Sequence, residues 1–462
     1  MSVNQAAAPW LPFPAGGRAL FQRLIAIGLR DTNIVVASVV ANNLLRAVSS
    51  VILTRLLVPE VFGTAGVIAS VSFTVALVSD LGFQAFVVRH QDGDKPRFLD
   101  TVWTIAVIRS TLLTLLLIAL SLPISRLIGK PDLAPLIAAS SLTFVIEGLA
   151  SLTLLTALRH RMILRLSLLE LAVMIVQILA TTILAYLWRS YWAILGGMLI
   201  SGLFKMLLSY VLFDNSLRRI AFDRAYMRDL WRFARFVTGS SIITMILMQC
   251  DKLVLAGVMS LDRFGLYILA ANLASAPLAF TSAYSSRVLY PYYSQRWRDG
   301  HADLRASFYA KRRLPSLLYS FAAGGLIGSA PLVIAILYDP RYAGATTYLQ
   351  LLMISPLFSL ASNSSNEALT ATGRIQVTLQ ASVAKLAWLV VAGPIGFWMG
   401  REIGLVLAVG LMEPVSVLFK WVQMHRAALL DLRQELLFLV PAVAGGLIGM
   451  AGDAVLRGLH AF

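Results

Sequence analysis

Within the long apolar runs of this 462-residue chain stand a few residues that water would ordinarily keep: basic Arg46, Arg109, Lys205, Lys252 and Lys385, and acidic Asp80, Glu147, Glu170, Asp251, Glu367 and Glu413. In hydrocarbon each would cost about 3 kcal/mol or more, so each must face protein, water or a partner. Arg46 is the most constrained, because it sits mid-run one turn after Asn42 and Asn43, too deep to reach either end. An arginine fork grips phosphate oxygens two at a time. Arg46, Asn42 and Asn43, with Arg109 and Lys385, are therefore the candidates for holding a phosphate, pyrophosphate or anionic glycan. The competing reading is a set of structural ion pairs with the carboxylates. For Lys205 and Lys252, near the ends of their runs, that reading or simple snorkelling is favoured.

The carboxylates allow two roles of their own, coupling to a proton or sodium ion, or structural pairing. Desolvation moves a carboxyl towards protonation. Glu147 and Glu170 are the deepest, Asp251, Glu367 and Glu413 complete the set, and Asp80 and Glu367 lie near an interface. Other chemistry has little to work with. The five histidines fall in loops or tails, no metal-ligand spacing or phosphate-binding glycine loop occurs, and no cofactor is called for. The single cysteine, Cys250, cannot form an intramolecular disulfide and reads as a small core residue. Neither an ATP-driven pump nor a soluble-type hydrolase fits.

The elements that must position these residues are helices in a bilayer. The chain is 58% hydrophobic and 13% charged, with a mean hydropathy of +0.77, too apolar and too long for one soluble domain. Runs of roughly 20 apolar residues, the length that crosses a bilayer core, predict spans near 33–57, 61–84, 99–122, 133–157, 163–187, 191–213, 235–258, 264–286, 314–337, 343–371, 375–399 and 402–421. A thirteenth apolar stretch covers 435–456. Continuous runs such as Thr111 to Leu122 exclude the short alternating segments of a β-barrel. Pro9, Pro12 and Pro14, then Arg18, Arg23 and Arg30, leave no cleavable signal pattern. Residues 18–30 have the spacing of a helix lying on the membrane surface.

A net charge of +16 would suggest nucleic acid for a soluble protein, but its distribution points elsewhere. Of the 39 basic residues, 26 fall on one side of the twelve expected spans and 8 on the other. By the positive-inside rule the N-terminus and the richer side face the cytoplasm. The charge then belongs to topology and anionic lipid heads, with no role for nucleic acid.

The basic segment 214–234 follows the sixth span and divides the chain into an N-lobe (33–213) and a C-lobe (235–421), flanked by a cytoplasmic segment 1–32 and a C-terminal segment 422–462. A shift of 202 residues lays Val61-Phe62-Gly63 over Arg263-Phe264-Gly265. Repeats of this kind build many secondary transporters, with the substrate site between the halves. Prolines deep inside spans (Pro277, Pro331, Pro356, Pro394 and Pro414) fall in the second half, which is expected to bend more.

Several stretches carry a family likeness: FDRAYMRDLWRFARFVTGSSIITMILMQCDKLVLAGVMSLDRFGLYILAANLASAP entering the second half, its echo LTRLLVPEVFGTAGVIA in the first, then YPYYS, LYDPRYAGATTYLQLL and EALTATGR. Over about residues 33–425 the chain resembles the polysaccharide-transport branch of the multidrug/oligosaccharidyl-lipid/polysaccharide exporter superfamily. The resemblance implies an all-α integral membrane fold of two six-helix bundles related by a pseudo-two-fold axis, alternating between inward-open and outward-open states around a cationic cavity. It implies a flippase of the bacterial cytoplasmic (inner) membrane that carries undecaprenyl-pyrophosphate-linked oligosaccharide to the outer leaflet for exopolysaccharide or surface-antigen synthesis. Glycosyltransferases would supply the cargo, and a polymerase or export machinery would use it. Many relatives have fourteen helices, so this chain departs from them after 425. The alternatives are an ion-coupled multidrug antiporter or a lipid II flippase of the same superfamily, and, further off, a membrane polymerase or ligase. The last would call for a large outer loop, and here the outer loops are short.

Overall fold

A computed structural model describes residues 31–214, 216–299 and 304–460. The expected surface helix at 18–30 lies outside the described residues. Among those described, every regular element is helical. The N-terminal half comprises α1 (Asp31–Leu56), α2 (Pro59–Val78), α3 (Phe83–Arg89), α4 (Pro96–Leu127), α5 (Pro131–Leu149), α6 (Thr153–Arg159), α7 (Ile163–Trp188) and α8 (Tyr191–Val211). The second half comprises α9 (Arg224–Val258), α10 (Leu261–Arg298), α11 (Leu304–Gly328), α12 (Ala330–Leu337), α13 (Ala345–Ala371), α14 (Gln376–Gly410), α15 (Met412–Arg426) and α16 (Leu432–Leu456). Polar side chains cap several of these starts: Ser190 accepts from Trp192 N, Asp223 from Ala225 N and Ser260 from Arg263 N.

Ten helices among the described residues are long and apolar enough to cross a membrane, or eleven if α11 and α12, bent by 70° just before Pro331, make one span. Twelve spans and a thirteenth stretch are expected from the sequence. The number does not include α1, and it takes Gln376–Arg426 as one helix although that helix doubles back. The reversal falls at Gly400 and Arg401, whose backbone leaves the helical region. Beyond it Gly404 lies against Gly396, Trp388 Nε1 donates to Ala408 O at 2.8 Å, and Lys385 pairs with Glu413. The interlobe segment 214–234 is continuous with the span that follows it. Its helical part is the start of α9, a single helix of 35 residues running from Arg224 into the seventh span.

The two halves meet where α2 crosses α10. A Cβ on Gly63 would fall 2.0 Å from Leu261 O, and one on Gly265 would fall 1.9 Å from Pro59 O. Only glycine allows that approach, and the contact is reciprocal, since residues 59 and 63 oppose 261 and 265 at the same offset of 202. Two side chains clasp helix ends across this seam. Lys130 Nζ donates to Ala256 O and, at 2.9 Å, to Met259 O at the end of α9. Tyr342 Oη donates to Leu57 O beyond the end of α1 at 2.8 Å. Free carbonyls at a helix C-terminus carry partial negative charge, which suits both donors.

The C-terminal stretch is a packed element. Gly324 meets Ala442 and Gly328 meets Gly446 backbone to backbone, so α11 and α16 run parallel in close contact. At one end Arg312, only 3% exposed, pairs with Glu435, which is fully buried. Tyr309 Oη donates to the same carboxylate at 3.0 Å. Arg312 therefore belongs to the interior and not to the cytoplasmic loop charge. Lys420 does too: it is 5% exposed and donates to Ser362 O and Oγ at 3.2 and 2.8 Å.

Candidate functional site

The seat of Arg46 is built by three N-terminal helices whose registers can be read from their contacts. Ser38 and Ser167 are 3.4 Å apart, while Leu53 and Leu57 pack with Ala185, so α1 and α7 run parallel. Gly197 lies against Thr181 and Gly196 against Leu184, so α7 and α8 form an antiparallel hairpin. These registers bring Arg46, Asn42 and Asn43 from α1 to one cavity of about 390 Å³ with Glu170 and Gln177 from α7 and Lys205 from α8. Ala279 of α10 closes it from the other half of the molecule. Arg46, Asn43, Glu170 and Lys205 are all exposed to this space. Arg46, Lys205 and Glu170 make no ion pair among the described residues.

A second cavity, of about 470 Å³, lies wholly within the N-terminal half and is lined by Asp80, Arg109, Glu147 and again Lys205. Arg109 is partly committed to structure. Its Nε donates to Ser79 O at 2.7 Å and its Nη2 to Ala76 O at 3.0 Å and Ser79 Oγ at 2.8 Å, which caps the C-terminus of α2. Asp80 is a joint: its Oδ2 accepts from Ser241 of α9 at 3.1 Å and its backbone carbonyl from Thr238 at 2.9 Å.

The other candidates sit apart from these cavities. Lys385 and Glu413 are paired with each other inside the α14–α15 hairpin, with side chains 20% and 17% exposed. Asp251 accepts from Tyr267 Oη in the core between the halves. Glu367 is half-buried in α13, near Lys420. The expected net positive cavity is thus a balanced one, with Arg46, Arg109 and Lys205 facing Asp80, Glu147 and Glu170. Lys205 and Gln177 are the lining residues that the sequence undervalues. Lys205 lies close enough to the end of its run to pass for a snorkelling lysine, and only the helix registers turn it inward.

Comparison with known proteins places this geometry in a family. A family profile described as "Polysaccharide biosynthesis protein" matches residues 52–347, more than half of the chain. The chain belongs to the polysaccharide biosynthesis protein family. Named relatives are similar over much of their length. The lipopolysaccharide biosynthesis protein WzxC of Escherichia coli (strain K12) is 24% identical, over 83% of this chain and 77% of that protein. The amylovoran biosynthesis protein AmsL of Erwinia amylovora is 23% identical, over 67% and 80%. Among solved structures, the lipid II flippase MurJ in an inward closed conformation superposes with a TM-score of 0.71 at 13% identity, covering 90% of this chain and 92% of that one. An inward-facing multidrug resistance MATE transporter of the MOP superfamily gives 0.59 at 15%, covering 84% and 95%. This family member is a multi-pass helical membrane protein with the fold of that superfamily.

Proposed function

We propose that this family member is a flippase that carries an undecaprenyl-pyrophosphate-linked oligosaccharide from the inner to the outer leaflet of the bacterial cytoplasmic membrane. It is a transporter and not a catalyst, and it works by alternating access of its two lobes with its N-terminus in the cytoplasm. The cargo would feed exopolysaccharide or surface-antigen synthesis, with a polymerase and export machinery acting downstream. The observation that carries the reading is Arg46, a mid-helix arginine without an ion-pair partner among the described residues, facing a cavity between the lobes beside Asn42 and Asn43. An unpaired guanidinium at that depth is costly unless an anion visits it. Relatives named for lipopolysaccharide and amylovoran biosynthesis supply the class of cargo. Arg109 lines the adjoining cavity and supports the site from there. Proton or sodium coupling through Glu147 or Glu170 is the alternative to driving by membrane potential.

The test is translocation in proteoliposomes loaded with lipid-linked oligosaccharide, with lipid II and a cationic drug as competing cargoes. Arg46→Ala should lower the rate at least tenfold with the protein level unchanged. Full transport by that variant overturns the cationic site, and preference for the drug overturns the flippase reading.

A further inference from the structure

The cavity of about 470 Å³ inside the N-terminal half is lined by two acidic and two basic residues, and one of each is already engaged. Asp80 accepts from Gly82 N at 2.9 Å and from Ser241 Oγ at 3.1 Å. Arg109 caps α2, with its guanidinium 5.8 Å from the centre of the Phe83 ring. Glu147 and Lys205 are exposed to the space and make no hydrogen bond or ion pair among the described residues. The helix registers put these two at one level. Gly202 lies against Ile146, and Ser151 N donates to Ser209 Oγ at 2.9 Å, so α5 and α8 run parallel. Lys205 then stands within about one residue, or ~1.5 Å, of Glu147 in depth. Both side chains lean towards the N-termini of their helices. Phe73 stands beyond them in that direction: Ser72 and Ser140 Oγ are 3.2 Å apart, which sets Phe73 level with Ser141. That is about six residues, or ~9 Å, from Glu147. Phe73 is 41% exposed, an open ring in the lining.

We infer that this cavity seats a neutral sugar, the first glycosyl residue of the cargo, between the Phe73 ring and the paired level of Glu147 and Lys205. This rests on the flippase reading and gives a place to the glycan, the part of the cargo that Arg46 does not address. A carboxylate accepts from sugar hydroxyls and an ammonium donates to them, while the C–H face of a pyranose covers an aromatic ring. The balance of charge in the lining selects the ligand class. A neutral sugar leaves two acidic residues matched by two basic ones. A phosphate or a cationic drug would instead bring an uncompensated charge into a partly desolvated site. Lys205 also lines the cavity between the lobes. The two spaces share that residue, so a cargo whose lipid phosphate lies in one can present its sugar to the other.

The experiment uses the full-length protein in detergent and three short probes: farnesyl diphosphate and its conjugates with glucose and with galactose. Binding is read by displacement of a fluorescent isoprenyl diphosphate. The wild-type protein should bind at least one conjugate about tenfold more tightly than the bare diphosphate, the worth of one hydroxyl on a charged group. Phe73→Leu should bring that ratio close to one while leaving affinity for the bare diphosphate unchanged, and Phe73→Tyr should keep it. Lys205→Met should lower the same ratio from the opposite wall. Phe73→Met repeats the measurement should the Leu variant prove unstable. A wild-type ratio near one for both conjugates overturns the sugar seat, as does a ratio unchanged in the Phe73 and Lys205 variants. Translocation is scored separately: a wild-type protein that flips lipid-linked oligosaccharide while showing no preference for the conjugates keeps its function and loses the sugar seat. A protein that shows the Phe73-dependent preference and flips nothing keeps the seat and loses the flippase reading.

Discussion

At the scale of single residues, the question for each buried charge is whether it has a partner. Lys385 has one in Glu413, and both are largely shielded from solvent. Removing one member of such a pair leaves the other stranded, at a cost near the low end of ~3–5 kcal/mol, whereas removing both is often close to neutral. Lys385→Met and Glu413→Gln should each lower the unfolding temperature in detergent, and the double variant should recover both stability and transport. A double variant that is stable but inactive would instead make Lys385 a cargo ligand. Arg46 is the opposite case, and that much is legible in the sequence: an arginine one turn beyond two asparagines, at mid-span, has nowhere to snorkel. Lys205 is not legible, because six residues from the end of α8 a lysine reaches water as easily as it reaches a cavity. Arg312 and Lys420 mislead in the other direction. Their positions read as loop charge, and only the packing of α16 on α11 and of α15 on α13 shows them buried.

At the scale of elements, two clasps hold one end of the lobe interface closed. Lys130 reaches from the N-terminal half to the end of α9, and Tyr342 reaches from the C-terminal half to the end of α1. A charged and a neutral hydrogen bond together contribute about 2–4 kcal/mol, enough to shift a two-state equilibrium at least tenfold. Lys130→Ala with Tyr342→Phe should open this end. A cysteine at Val67, fully buried in the seam, placed in a Cys250→Ala background, should then react faster with an impermeant maleimide added outside. An unchanged rate would mean that the glycine contact at Gly63 and Gly265 closes the seam unaided. The offset of 202 residues is visible in the sequence, but the facing of its two copies across the seam is not, because a repeat does not say what it packs against. The parallel packing of α16 on α11 has its own consequence. α16 starts near the Arg312–Glu435 end and passes Gly328 at Gly446, so its last turns lie at or beyond the level of Gly328. By the charge asymmetry that level is outside, so a cysteine appended after Phe462 in the same background should be labelled in intact cells. Labelling only after permeabilisation would refute this.

At the scale of the whole molecule, the balance of fixed charges decides what drives transport. Arg46, Arg109 and Lys205 are matched by Asp80, Glu147 and Glu170 in the two cavities that Lys205 lines in common. Lobes that rock about a seam leave these charges nearly in place, so the charge that crosses the membrane field is the cargo's own. A diphosphate carries about two negative charges, and each gains ~2.3 kcal/mol per 100 mV on moving outward, down an inside-negative potential. A potassium diffusion potential, negative on the side that holds the cargo, should therefore accelerate translocation in proteoliposomes, and reversing its sign should slow it. The alternative is that Glu147 and Glu170 each take up a proton as the cargo enters. The loaded cavity would then be electroneutral, and the rate would follow a pH gradient and ignore the potential. Glu170→Gln with Glu147→Gln separates the two: under potential drive the pair removes competing anions and binding tightens while voltage dependence stays. Under proton drive the same pair abolishes the response to pH. The two outcomes cannot coincide, because one requires charge to cross with the cargo and the other requires that it does not.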